Sequence, residues 1–233
     1  MPMRITPLLL ASLALASACS ASTSSRNIRT AGVVALIDVT SEAPGQSSLD
    51  TELVIGGANS NTNVVLEGGD TLSADAAGQH LPLTVQGKGE YGARFPTSEG
   101  EFVVALARDV DVPAPNSRGT LGPPFDIAPI DRPISRGGEA LTITWTPVDP
   151  SAQVEIELEG DCLIRETRSL GPDTGSASFP PGTLRAWKKQ VNDTCLVSAK
   201  LTRTRLGSSD PALDPDSRFR LSHVRTLRFS SAP

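Results

Sequence analysis

The sequence predicts an all-β protein: two antiparallel β-sandwich domains that follow an export segment and a flexible tether. Three observations carry this. Short runs of β-branched and aromatic residues recur between turns rich in Gly, Asn and Asp. In the second half, apolar and polar residues alternate in Leu141-Thr142-Ile143-Thr144-Trp145 and Val154-Glu155-Ile156-Glu157-Leu158, as in a strand with one wet face. Helical spacing of apolar residues does not persist in the first half. With aromatics at only 4% of the chain and abundant Gly, Pro, Ser and Thr, short strands fit better than helices.

The first element is 1–18. One basic residue, Arg4, precedes the apolar run Pro7-Leu8-Leu9-Leu10-Ala11-Ser12-Leu13-Ala14-Leu15, and the small residues Ala16-Ser17-Ala18 lead into Cys19. This is the layout of a secretory signal, and its apolar run is shorter than the roughly 20 residues a spanning helix needs. With a cysteine directly after the small residues, the segment resembles a bacterial lipoprotein signal. The resemblance implies that Cys19 is acylated and becomes the first residue of the mature protein. Ser20 rather than Asp follows it, which by the same resemblance implies the outer membrane. Ala16 stands where that family usually has Leu, and ordinary cleavage nearby, with Cys19 left as a free thiol, is the alternative. The mature chain would hold 215 residues, with 20 basic and 26 acidic side chains and a net charge near −6. It has no Lys/Arg cluster suited to a phosphate backbone, so nucleic acid is not expected as a partner.

Residues 20–30 are polar and aperiodic and read as the tether. The first domain is expected over 31–116. It opens on the run 33–39, and strand-length segments follow at 53–55, 63–66, 71–74, 81–85, 90–95 and 102–107, separated by glycine-rich turns. Residues 109–136 carry six prolines; since proline cannot donate to a ladder, the domain boundary is placed there, near Asn116. The second domain, 117–233, has an edge strand at 124–127, the two alternating strands above, and its longest strands at 195–205 and 219–229. Leu-Thr-Ile-Thr-Trp-Thr-Pro over 141–147 resembles the second strand of a fibronectin type III or immunoglobulin-like domain. One larger all-β domain is the alternative.

If Cys19 carries lipid, Cys162 and Cys195 remain, and in an oxidising compartment they read as one disulfide. Neither lies in a C-x-x-C or near a histidine. His80 and His223, the only two histidines, have no neighbouring nucleophile at a spacing that forms a triad, and read as structural. There is no G-x-S-x-G, H-E-x-x-H or strand-linked G-x-G-x-x-G, and no cofactor is implied. The loop 206–217 places Asp210, Asp214 and Asp216 within seven residues. Its prolines and missing Gly depart from a calcium loop; these acids are expected to contact a basic partner or a cation, and a plain solvated loop is the alternative. The functional expectation is a non-enzymatic envelope lipoprotein, held to the membrane by its lipid, that recognises an envelope protein or glycan. A hydrolase whose groups meet only in three dimensions, or a passive spacer, are the rivals.

Overall fold

The computed structural model describes residues 21–233, so the signal and the proposed lipidation at Cys19 lie outside the described residues. Eighteen strands make up the described chain. The first half holds β1 (Ala21–Ser24), β2 (Val34–Ala43), β3 (Gln46–Val54), β4 (Thr62–Val65), β5 (Thr71–Ala76), β6 (Gln79–Pro82), β7 (Thr84–Gly87), β8 (Glu90–Phe95), β9 (Gly100–Ala107) and β10 (Ala114–Leu121). The second holds β11 (Asp126–Ile127), β12 (Ile134–Ser135), β13 (Leu141–Thr146), β14 (Gln153–Gly160), β15 (Glu166–Pro172), β16 (Ser176–Phe179), β17 (Cys195–Leu206) and β18 (Arg218–Ala232).

One large sheet runs through both halves in the order β1-β4-β3-β2-β18-β17-β14-β15, with β8 and β7 continuing from β3 and β12 added beside β18. A four-stranded sheet, β10-β9-β5-β6, is associated with the first half, and a three-stranded sheet, β11-β13-β16, with the second. The chain is therefore β-sandwich throughout, with two cores on one shared sheet. The first gathers Val33, Ile37, Leu49, Leu53, Phe95, Phe102 and Val104, and the second Phe125, Ile143, Trp145, Ile156, Phe179 and Phe229. Strand β2 reads as a continuous apolar run because both its faces are covered: Ile37 and Val39 enter the first core, while Val34 and Leu36 pack on Val54.

The shared strand is β18. Its first part pairs parallel with β2, from Arg218 opposite Leu36 to His223 opposite Ser41. Most of its length pairs antiparallel with β17, from Arg220 opposite Leu206 to Ser231 opposite Cys195. Accordingly Phe219 and Leu221 belong to the first core and Phe229 to the second. Leu213, from the loop before β18, also enters the first core. The two halves meet a second time where β10 crosses the end of β17. Arg118 and Ser208 exchange N–H···O bonds of 2.9 and 2.8 Å, and a Cβ on Gly207 would come 2.5 Å from the Arg118 carbonyl. Only glycine allows so close a crossing.

Two expectations are corrected by the packing. Residues 21–30 are not a free tether: β1 pairs parallel with β4, and Ser25 and Thr30 are buried. The buried Arg108 side chain holds this segment, donating to the carbonyls of Ser25 (2.8 Å) and Ile28 (2.9 Å) and to Thr30 Oγ1 (3.1 Å). Its charge is matched by Asp70 at 2.9 Å. Burial raises the Asp70 pKa, but bonds from the Asp109 N–H and Ser25, with the Arg108 charge, outweigh it and hold the pKa below the usual carboxylate value. The second correction concerns the proline-rich stretch. Asn116 falls inside β10, whose pairing with β9 shifts register between Ala114 and Ser117, so that Pro115 and Asn116 sit in a bulge on an edge strand.

A chain truncated near Asn116 would lose Leu121, Leu213, Phe219 and Leu221 from the first core, and β2 its parallel neighbour. We expect that fragment to remain unfolded by near-UV circular dichroism, and the whole chain to unfold in one cooperative transition. Two separate calorimetric transitions would show independent halves instead.

Candidate functional site

The surface that stands out is built by the segment closed by the Cys162–Cys195 disulfide. Gly160 ends β14 and turns the chain, its carbonyl accepting from the Leu163 N–H at 2.9 Å. Cys162 then bonds Cys195 at the start of β17, 33 residues on, with 6.0 Å between the Cα atoms. The expected disulfide is thus formed. Its return path, 184–194, has little regular structure, yet its backbone is fastened. Leu163 bridges Ala186, Ile164 N–H donates to the Arg185 carbonyl (2.8 Å), and Trp187 N–H donates to the Cys162 carbonyl (3.1 Å).

The far side of this loop is held by Arg136, itself only 6% exposed. Its guanidinium donates to the carbonyls of Val191 (3.0 Å), Asp193 (2.7 Å) and Ser231 (3.3 Å), and lies 3.6 Å from Cys162 Sγ. The backbone is pinned while the side chains remain outside: Trp187 and Val191 are each 51% exposed and Leu196 58%. Ile164, Ala186, Trp187, Lys188, Lys189 and Gln190 line an open groove of about 720 Å³. Lys188 and Lys189 are exposed and form no ion pair among the described residues, whereas nearby Arg165 pairs with Glu157 and Glu159, and Arg185 with Glu166.

The ladders place this groove. Cys195 faces Ser231 at the very end of β18. The described chain begins at the other end of the sheet, where Ser22, Asn63, Val54 and Val34 form one cross-strand row beyond the start of β18. The groove and the chain's beginning therefore lie at opposite poles, and β18 alone, at roughly 3.3 Å per residue, spans about 50 Å of the separation.

Between the poles lies a buried polar cluster. Arg203, 2% exposed, donates to the carbonyls of Pro147 (2.8 Å) and Pro123, reaches Asp173 at 3.4 Å and stacks 4.5 Å above the Phe125 ring. Asp173 also accepts from Trp145 Nε1 (2.8 Å) and from the Asp149 N–H (2.9 Å). Arg205 clamps Asp149 with two bonds of 2.6 Å. His223 stacks edge-on against Phe125, and its Nε2 lies 2.7 Å from the Ser98 carbonyl, so Nε2 carries the proton. Burial, with Arg203 and Arg225 close by, pushes the His223 pKa down to about 4 against the support of the Ser98 bond and Asp149. His80 makes an exposed pair with Asp75 at 2.9 Å. Neither histidine is brought to a hydroxyl or thiol nucleophile among these contacts.

The three acids of the 206–217 loop do not share one environment. Asp210 is 5% exposed and accepts from the Asn116 N–H (2.8 Å) and Ala212 N–H (2.9 Å). It anchors the loop to β10, and its carboxylate is turned inward to these N–H groups and does not face a partner. Asp214 is half-buried and accepts from the Asp216 N–H at 2.9 Å; Asp216 is exposed. No group of three or more His, Cys, Asp or Glu suited to a metal occurs among the described residues. Sequence reasoning passed over Trp187. Its signal was there: one of two tryptophans, beside two of only four lysines, in a turn-rich stretch between the paired cysteines.

No protein-family model matches the chain, and no curated protein matches it. Among solved structures it is similar to a tetra-tandem repeat in the extending region of a large adhesion protein (17% identity, 85% of this chain and 50% of that one, TM-score 0.27). It is also similar to a DUF3823 family protein from Bacteroides ovatus (13% identity, 85% and 98%, TM-score 0.24) and to E. coli alpha-2-macroglobulin (11% identity, 84% and 14%, TM-score 0.24). The chain spans about half the length of the adhesion-protein repeat it matches. Likenesses this weak carry no weight for function.

Two outcomes follow from this geometry. Removing the disulfide by Cys162→Ala with Cys195→Ala should cost about 3–4 kcal/mol in urea unfolding, from the entropy of a 33-residue loop. It should also open the 184–194 segment to limited proteolysis. The second concerns pH. His223 is neutral when folded, with its pKa near 4, whereas the unfolded chain takes up a proton near 6.5. Stability should therefore be flat above about pH 6.5 and fall by roughly 3 kcal/mol as the pH drops towards 4. His223→Gln should remove that dependence in urea titrations run from pH 4 to 7.5.

Proposed function

We propose that this protein is a non-enzymatic cell-envelope lipoprotein, anchored through Cys19, whose two sandwiches hold the Trp187 groove away from the anchoring membrane to bind another envelope component. The observation that carries the reading is a half-exposed tryptophan on a loop whose backbone is pinned by a disulfide and a buried arginine. Folding gains nothing from leaving so large an apolar ring in water, and aromatic anchors of this kind dominate binding surfaces. A loop already ordered loses little conformational entropy when a ligand arrives. The tight packing of 21–32 on β4 and Arg108 supports the same reading, since Cys19 lies only two residues before β1 and the anchor would connect to a fixed pole.

The reading is tested by cosedimentation of the chain from Ser20 to Pro233, which lacks the acylated cysteine, with isolated cell envelopes. Trp187→Ala should lower the bound fraction at least about fivefold with no change in melting temperature; equal sedimentation of the variant overturns the assignment of the site. Separately, Cys19→Ala should release the cellular protein from the membrane fraction, and retention would overturn the anchor.

A further inference from the structure

The Trp187 groove has a chemistry that narrows its ligand. Resting on the functional reading above, we infer that it binds an acidic polysaccharide, with a uronate-type sugar ring stacked on Trp187 and its carboxylate met by Lys188 and Lys189. A pyranose ring is amphipathic, with an apolar C–H face and polar edges. The indole of Trp187, flanked by Ile164 and Ala186, offers an apolar floor of matching character, and Gln190 stands at its rim as a neutral donor and acceptor.

Charge selects the acidic member of the class. The whole chain carries a net charge of −5, so it has no general attraction for an anionic polymer. At this pole the neighbouring arginines, Arg165 and Arg185, are already matched by glutamates. The two lysines are not matched by any ion pair among the described residues, and they directly follow Trp187 in sequence. Asp193 is the carboxylate of the same loop; its backbone carbonyl is turned inward to Arg136. Two unpaired lysines beside an aromatic ring attract an anion and orient it on that ring.

Two other occupants fit less well. A folded protein partner needs about 800 Å² on each side, and this is one short groove on one loop. A membrane surface needs a larger apolar face or a second anchoring signal, and the groove lies at the pole opposite the beginning of the described chain.

The test uses the chain from Ser20 to Pro233, without the acylated Cys19, and titrates polygalacturonate, carboxyl-reduced polygalacturonate and phosphatidylglycerol vesicles while following tryptophan emission. Trp145 is 4% exposed, so a ligand-induced shift reports on Trp187. Polygalacturonate should shift the emission, and binding should weaken as salt rises. Trp187→Ala should weaken binding about tenfold or more, measured by calorimetry. Lys188→Gln with Lys189→Gln should weaken it to a similar degree and remove the salt dependence, with unchanged melting temperatures showing that both variants fold. Equal binding of the carboxyl-reduced polymer, binding of vesicles only, or no binding of any probe overturns the inference. The functional reading stands through each of these outcomes if Trp187→Ala still abolishes cosedimentation with envelopes; if that also is unaffected, both fall together.

Discussion

The structure depends on one strand belonging to two cores. β18 donates Phe219 and Leu221 to the first sandwich and Phe229 to the second, while its backbone is paired on one side with β17 along its length and on the other with β2. A fifteen-residue strand is long for a globular domain, and one hydrophobic face rarely has enough core to cover it. Here the cover is divided: β10-β9-β5-β6 is associated with one part and β11-β13-β16 with the other. The bend between the halves is opposed by continuous backbone hydrogen bonds in β17–β18 rather than by a linker. That is what would let a surface at one pole be held at a fixed distance from the other.

Three buried arginines do for the irregular segments what ladders do for the strands. Arg108 satisfies carbonyls of the 25–30 turns, Arg136 those of 191–193 and Ser231, and Arg203 those of Pro123 and Pro147. Each guanidinium offers five donors in a rigid fork, so it can close several carbonyls of a chain segment that has no strand partner. Arg108 and Arg203 have carboxylates beside them, Asp70 and Asp173. Arg136 has as hydrogen-bond partners, among the described residues, only carbonyls, a sulfur and a serine hydroxyl. Removing any one of the three would leave several buried acceptors unpaired, which costs more than the net worth of the bonds themselves. Arg136 thereby shares with the disulfide the task of shaping the groove.

The β class, most strand positions and the disulfide are legible in local sequence. Leu141–Thr146 and Glu90–Phe95 are legible because alternation is a local property, written in neighbouring residues by the two faces of a strand. The cysteine pairing is legible because, if Cys19 is set aside as the expected lipidation site, the other two cysteines leave one combination. β15 and β16 are not legible in the sequence. β15 is a largely polar edge strand interrupted by Gly171, and β16 is four residues long, so neither writes a strong period.

Only the tertiary structure decided the rest. That residues 21–32 are packed depends on Arg108, nearly eighty positions away; composition alone reads a Ser/Thr-rich segment as loose because it cannot see a distant donor. That Asp210 is buried depends on the Asn116 N–H across the loop, so three acids that look alike in sequence are an anchor, a turn acceptor and an exposed charge. The Trp187 groove is decided in the same way: a tryptophan between two cysteines is core or surface according to which side of the loop the disulfide and Arg136 pull inward. Side-chain period is set by the residues next door, whereas burial of a polar group and exposure of an apolar one are set by partners that the chain brings from afar.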